Sequence, residues 1–266
     1  MTSEMLSMAA MFCFSLGAAA AISGFKIEAL RNNAYQLVST VLGILLQTAA
    51  IGVACSNNSQ HYFSSNSEMC SLLAWALAFC YLVTLAVSLA RSLGALILPL
   101  IVSLLALSHL LNKQGLDPGV PAGFVLAVHI LSAFLGYGLF MTACGASVLY
   151  LAQSRLLKRK TFGMLFRELP SLDKLERIEI YCAWLGLATF TVAIGTGAVL
   201  ANQYDQPFWF EPKILSAQVT WLIFGALILG RAIHRLNGRV AAKFVLAGAF
   251  LVIFTFILSH PMVPSL

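Results

Sequence analysis

Residues 91–113 read RSLGALILPLIVSLLALSHLLNK, with an arginine at one end, a lysine at the other and no charged side chain between them. A helix needs about 20 predominantly apolar residues to cross a bilayer core about 30 Å thick. This stretch supplies them and puts a base at each end. The same pattern recurs along the chain, and the reading yields eight candidate spans at 5–25, 35–54, 70–90, 94–112, 122–152, 177–201, 214–231 and 241–259.

The bases between the spans are not evenly shared. Lys26 and Arg31 fall in the first gap and Arg91 in the third. Arg155, Lys158, Arg159, Lys160, Arg167, Lys174 and Arg177 fall in the fifth, and Arg231, Arg235, Arg239 and Lys243 in the seventh. Only Lys113 and Lys213 occupy the other gaps. Cytoplasmic loops collect Lys and Arg, so the basic gaps are expected inside and both termini outside. The expected fold is all-α: a polytopic transmembrane helical bundle of about eight spans, with residues 1–266 as one integral membrane domain. The first span has no base before it and Lys26 after it, the reverse of an exported leader.

Composition agrees. The chain is 60% hydrophobic and 10% charged, against about 25% charged residues in an ordinary soluble domain. Its net charge of +6 is spread over short loops on one side, which speaks for a lipid bilayer and against nucleic acid as partner. Cys13, Cys80, Cys144 and Cys182 fall in apolar runs and read as small core residues. Cys55 and Cys70 bracket the first outward loop, where an oxidising compartment permits a disulfide; otherwise they are two thiols at helix ends. Gly and Ala within the spans, as at Gly136, Gly138, Gly145, Gly186, Gly195 and Gly197, fit close helix approach in lipid. The long inward connection from Gln153 to Arg177 mixes bases with apolar residues, as a segment lying on an anionic leaflet does. A docking face for a cytoplasmic partner is the alternative there. Pro170 breaks this segment and Ser171 is placed to cap the next helix, with Asp173 and Glu176 favouring its dipole.

No acidic residue or lysine is expected mid-span, and no Ser-His-Asp, HExxH, Walker, CxxC or CxxCH pattern occurs. This argues against proton-coupled transport, ion pumping and enzymatic chemistry. Five histidines remain. His61 reads as a solvated loop residue, His109 as an interfacial anchor or a ligand near the outer end of the fourth span, and His234 as part of a basic inward loop. His260 follows the last span at its outer end. His129 lies about two turns into the fifth span, with Ser132, Gly136 and Tyr137 on its face as a polar, partly hollow stripe. Composition alone leaves a hydrogen-bonded packing residue and a ligand both open.

Longer motifs add to this. His129 with Tyr137, Gly138, Leu139, Cys144 and Gly145 resembles the His-x7-Tyr-Ala-x-Leu pattern of the cytochrome c assembly family, the CcsA- and CcmC-type haem-handling membrane proteins. Gly197-Ala-Val-Leu-Ala-Asn202 resembles that family's Gly-Ala-Val-Trp-Ala-Asn, Trp209-Phe-Glu-Pro-Lys213 its Trp-x-Asp-Pro-Lys, and Thr220-Trp-Leu-Ile-Phe224 its Thr-Trp-x-Ile-Phe. The resemblance covers about 120–260. It implies that His129 is an outer ligand to haem iron, that Trp209 with Phe208 and Phe210 lies beside the porphyrin, and that Tyr137 and His260 are further candidates. The chain departs from the pattern in keeping one Trp of a Trp-rich run, in Leu229 standing where the family has a histidine, and in His260 falling about seven residues early. In this it resembles the short, eight-span HemX- and YpjD-like branch.

The function these features imply is a haem-handling or cytochrome c assembly accessory protein of the bacterial inner membrane. It would bind haem transiently at the outer face, without enzymatic chemistry, beside other assembly components or apocytochrome c. The alternative is a regulatory or scaffolding membrane protein, for example of tetrapyrrole biosynthesis, acting through its cytoplasmic loops. The charge reading has its own test in a cysteine-free background. Single cysteines in the 202–213 connection should react with an impermeant thiol reagent from outside, whereas cysteines at 159–168 should react only after permeabilisation. The opposite pattern reverses the topology.

Overall fold

The structure, a computed structural model, describes residues 2–24, 33–57, 65–88, 91–111, 123–160, 163, 166, 168–203, 212–233 and 236–259. Among them there is no strand. Eight long helices follow one another: α1 (Ser3–Ser23), α2 (Asn33–Asn57), α3 (Asn66–Ser88), α4 (Gly94–Leu110), α5 (Phe124–Lys158), α6 (Leu172–Gln203), α7 (Pro212–Ala232) and α8 (Gly238–Ser259). A 3-10 turn, Arg91–Leu93, leads into α4. All eight are long and apolar enough to cross a membrane. Helices are the element this composition demands, because lipid offers no partner to a backbone N–H or C=O and a helix satisfies nearly all of them internally.

The starts of α1, α3 and α6 carry side-chain caps, whereas those of α4 and α5 do not. Thr2 Oγ1 accepts from the Met5 N–H at the start of α1. Ser65 and Glu68 form a reciprocal capping box at α3, the Ser65 N–H donating to Glu68 Oε2 and the Glu68 N–H to Ser65 Oγ. Ser171 caps α6 by accepting from the Lys174 N–H, as expected. The Ser65 cap starts α3 four residues before the apolar run, so Cys70 lies one turn inside the helix. Of the two readings open for Cys55 and Cys70, the structure shows the thiols: both are free, with Cys70 fully buried in the core and Cys55 in the last turn of α2. Two spans also run past their predicted ends. α5 extends from 152 to Lys158 and α6 begins at Leu172 rather than 177. Hydropathy marks where lipid ends, and a helix continues beyond that point while its residues favour it.

α1 packs on α2 and α4, α3 on α4 and α5, and α7 on α8. α5 is central, meeting α3, α6 and α8, and its pairing with α6 is the most extensive in the molecule. The upper end is taken here as that at which α1, α3, α5 and α7 begin. Small residues set the α5–α6 seam: a Cβ at Gly186 would lie 2.7 Å from Phe140 Cε1, and one at Gly136 would lie 3.3 Å from Phe190 Cβ. Phe140 in turn stacks on Phe224 of α7, with ring centroids 3.7 Å apart.

The lower end gathers the described bases of the 3-10 turn, the end of α5, the start of α6, the end of α7 and the start of α8. They are tied across helices: Arg91 pairs with Glu168, Arg231 with Glu176 at 3.2 Å, and the Arg239 Nε–H donates to Ser154 Oγ at 2.6 Å. Glu179 stands among them on α6 and is only 1% exposed. Its Oε2 accepts from the Ser147 hydroxyl of α5 at 2.7 Å, and its Oε1 has no partner among the described residues. Ser147→Ala removes that one bond from a buried carboxyl, and an unsatisfied buried polar group costs about 1–3 kcal/mol. Thermal unfolding in mild detergent should show a lowered midpoint, and Ser147→Ala with Glu179→Leu should recover most of the loss. An unchanged midpoint in the single variant counts against the bond.

Candidate functional site

His129 is the sixth residue of α5, just below its extended cap residue Gly123. Its ring lies against the upper part of α6. Nδ1 is 2.8 Å from the carbonyl oxygen of Ala193. A carbonyl only accepts, so the proton of this bond is on Nδ1, which leaves Nε2 as a bare lone pair in the neutral ring. Thr196 Oγ1 is 3.4 Å from the same nitrogen, and its own hydroxyl donates to the Val192 carbonyl at 2.8 Å. Gly197 underlies the ring: a Cβ there would sit 2.9 Å from His129 Cε1. Nε2 has no hydrogen-bond partner among the described residues.

The neighbours on α5 differ from the hollow stripe expected of them. Ser132 turns its hydroxyl back to the His129 carbonyl at 3.1 Å, and Gly136 is filled by Phe190 and Thr189 of α6. Tyr137 is buried, with its ring 5.5 Å from that of Phe190 and 6.1 Å from that of Phe134. It lies about 12 Å below His129 along the helix axis, at 1.5 Å per residue. The stripe closes because α6 brings large side chains to the small ones of α5. His109 is held elsewhere, its Nε2 3.3 Å from Ser7 Oγ of α1. It borders a cavity of about 110 Å³ at the upper end of α1 to α4, with Ser3, Glu4, Ser67 and Glu68 as well as Ala50 and Ile51 in the wall. Trp209, Phe208, Phe210, His260, His61 and His234 lie outside the described residues.

Among the described residues no group of three or more His, Cys, Asp or Glu side chains is placed to hold a metal ion. The donor set at His129 is a single neutral imidazole with its second nitrogen anchored. That fits one axial position on a haem iron and does not make a closed metal cage. Sequence reasoning passed over two features. One is the role of Gly197, read as a packing residue and as the first residue of a family motif. The other is Glu179, whose signal was a carboxylate set between Ile178 and Ile180 beyond the capped first turn of α6.

The profile of the family described as cytochrome C assembly protein matches residues 59–264, reaching back through α3 and α4 beyond the motif-bearing stretch. The HemX protein of Bacillus subtilis (strain 168) is 31% identical over 119 residues, 44% of this chain and 43% of that protein. A 28.8 kDa protein of Azospirillum brasilense is 30% identical over 178 residues, 64% of this chain and 65% of that one. The chain thus spans less than two thirds of the length of either. The cytochrome c biogenesis protein CcsA of Guillardia theta is 25% identical over 231 residues, 79% of this chain and 77% of that protein. With eight membrane-crossing helices and a family match over most of its length, this multi-pass membrane protein belongs to the cytochrome c assembly family.

Proposed function

We propose that this protein is a haem-handling accessory of cytochrome c assembly in the bacterial inner membrane, binding haem transiently at its outer face and carrying out no chemistry of its own. Family membership supports a role in cytochrome c biogenesis, and the CcsA relative is named for that process. The observation that carries the finer reading is the His129 ring, anchored through Nδ1 to Ala193 with its other nitrogen left bare. The outer assignment of the upper end comes from the bases gathered at the lower end.

In this reading His129 Nε2 would ligate the haem iron, and Trp209, Phe208 and Phe210 would offer flat apolar area to the porphyrin, as the motif pattern implies. Haem would be cargo to be handed on. A single protein ligand suits that task, because a weakly closed coordination sphere lets cargo leave. Tyr137 supports the helix that carries His129, through the Phe134 and Phe190 contacts. Apocytochrome c and other assembly components are the expected recipients. The regulatory alternative draws on the basic lower end, where α5 carries Arg155 and Lys158 in its last turn.

Protein purified in mild detergent should be examined by pyridine haemochrome assay and titrated with haemin. A Soret band is expected in the wild type, with His129→Ala binding at least about tenfold more weakly. Equal binding by the variant removes His129 from the site. The absence of any band in the wild type leaves the regulatory reading standing.

A further inference from the structure

We infer that the Ala193 carbonyl and the bare backbone of Gly197 form a seat on α6 that fixes His129 with its proton on Nδ1 and its Nε2 presented as an open donor. The inference rests on the haem reading only for the identity of what Nε2 would bind; the seat itself stands on geometry.

Neutral imidazole has two tautomers, and only the one with a bare Nε2 can ligate through that atom. Two oxygens face Nδ1: the Ala193 carbonyl at 2.8 Å, and Thr196 Oγ1 at 3.4 Å. The Thr196 hydroxyl proton is directed to the Val192 carbonyl at 2.8 Å and the Ala193 carbonyl at 3.1 Å. The threonine oxygen therefore turns a lone pair toward the ring, and both groups favour a proton on Nδ1. The opposite tautomer would set a nitrogen lone pair against the carbonyl oxygen.

Gly197 makes that approach possible. A Cβ built on it would lie 2.9 Å from His129 Cε1, 3.3 Å from Nδ1 and 3.9 Å from Nε2. Carbon atoms pack best at about 3.5–4.0 Å, so any side chain here pushes the ring off α6 and stretches the bond to Ala193. Gly195, two residues earlier on the same helix, has nothing within 4 Å of the corresponding position. The two glycines thus form a matched pair. An alanine at either site gains the same helix propensity, and only the one at 197 meets the ring. Gly197 is a positioning residue, and so is Thr196.

The test reads the tautomer directly, without haem. Protein labelled with 15N-histidine is studied by NMR in detergent micelles, and the His129 signals are identified by their loss in His129→Gln. In the wild type Nδ1 should be protonated and Nε2 bare. Gly195→Ala should match the wild type, while Gly197→Ala should show a mixture of tautomers or the Nε2-protonated form. A wild-type proton on Nε2 overturns the inference, as does a Gly197→Ala spectrum matching that of Gly195→Ala. The wild-type spectrum decides the matter by itself should Gly197→Ala not fold. Haemin titration of the same samples separates the two claims. Binding about tenfold or more weaker in Gly197→Ala than in Gly195→Ala is expected. A correct tautomer with no haem binding by the wild type leaves the seat intact and sinks the haem proposal.

Discussion

The pairing of α5 with α6 is the contact on which the rest of the molecule depends. Between helices in lipid there is little hydrophobic force, so association rests on close packing and on hydrogen bonds that lipid cannot replace. This pair has both. Glycines and aromatics interlock along its middle, with Gly186 against Phe140 and Gly136 against Phe190. A polar tie closes each end: His129 to the Ala193 carbonyl above, and Ser147 to Glu179 below. The other helices build on this rod. α3 packs on one side through Gly138, and α7 and α8 pack on the other through the Phe140–Phe224 stack and the Phe134–Phe256 contact.

Under the proposed function, packing and binding share one residue at the upper tie. His129 and Ala193 are 64 residues apart in the chain. The two motifs that carry the family resemblance in this region, one around His129 and one starting at Gly197, form a single place in space. A hydrogen bond that helps hold two helices together also selects which nitrogen stays free. In the proposed haem reading, a histidine held in this way would need little reorganisation to accept an iron atom, because its orientation is already fixed by a backbone group that cannot rotate away.

The lower end follows a different logic. Its bases are partly neutralised in place, Arg231 by Glu176 and Arg91 by Glu168, and both pairs are largely shielded from solvent. Such pairs contribute little net stability when desolvation is counted, but breaking one leaves a charge stranded. One ties the 3-10 turn to the segment before α6, and the other ties the start of α6 to the end of α7. Among the other described bases, Arg155, Lys158 and Arg177, the last with its surface partner Asp173, are exposed, where a membrane surface or a soluble partner would meet them.

The amino-acid sequence by itself determined the eight helices, their alternation and the gathering of bases at one end. These follow from residue-by-residue transfer into lipid and from loop charge, and need no knowledge of contacts. It also singled out His129, because a polar ring in an apolar run is conspicuous. Helix ends were less legible, since α5 and α6 continue past the apolar stretch and hydropathy does not register helicity in polar surroundings. Which neighbour each side chain meets was decided only by tertiary structure. Tyr137 and Gly136 shared a helical face with His129, yet the aromatic rings of α6 fill that stripe. Cys70 stood near a loop in the sequence but turned into the core once the Ser65 cap lengthened α3. Gly197 and Gly195 are equivalent as letters; α5 passes close to one and not the other, and that proximity gives one of them a role.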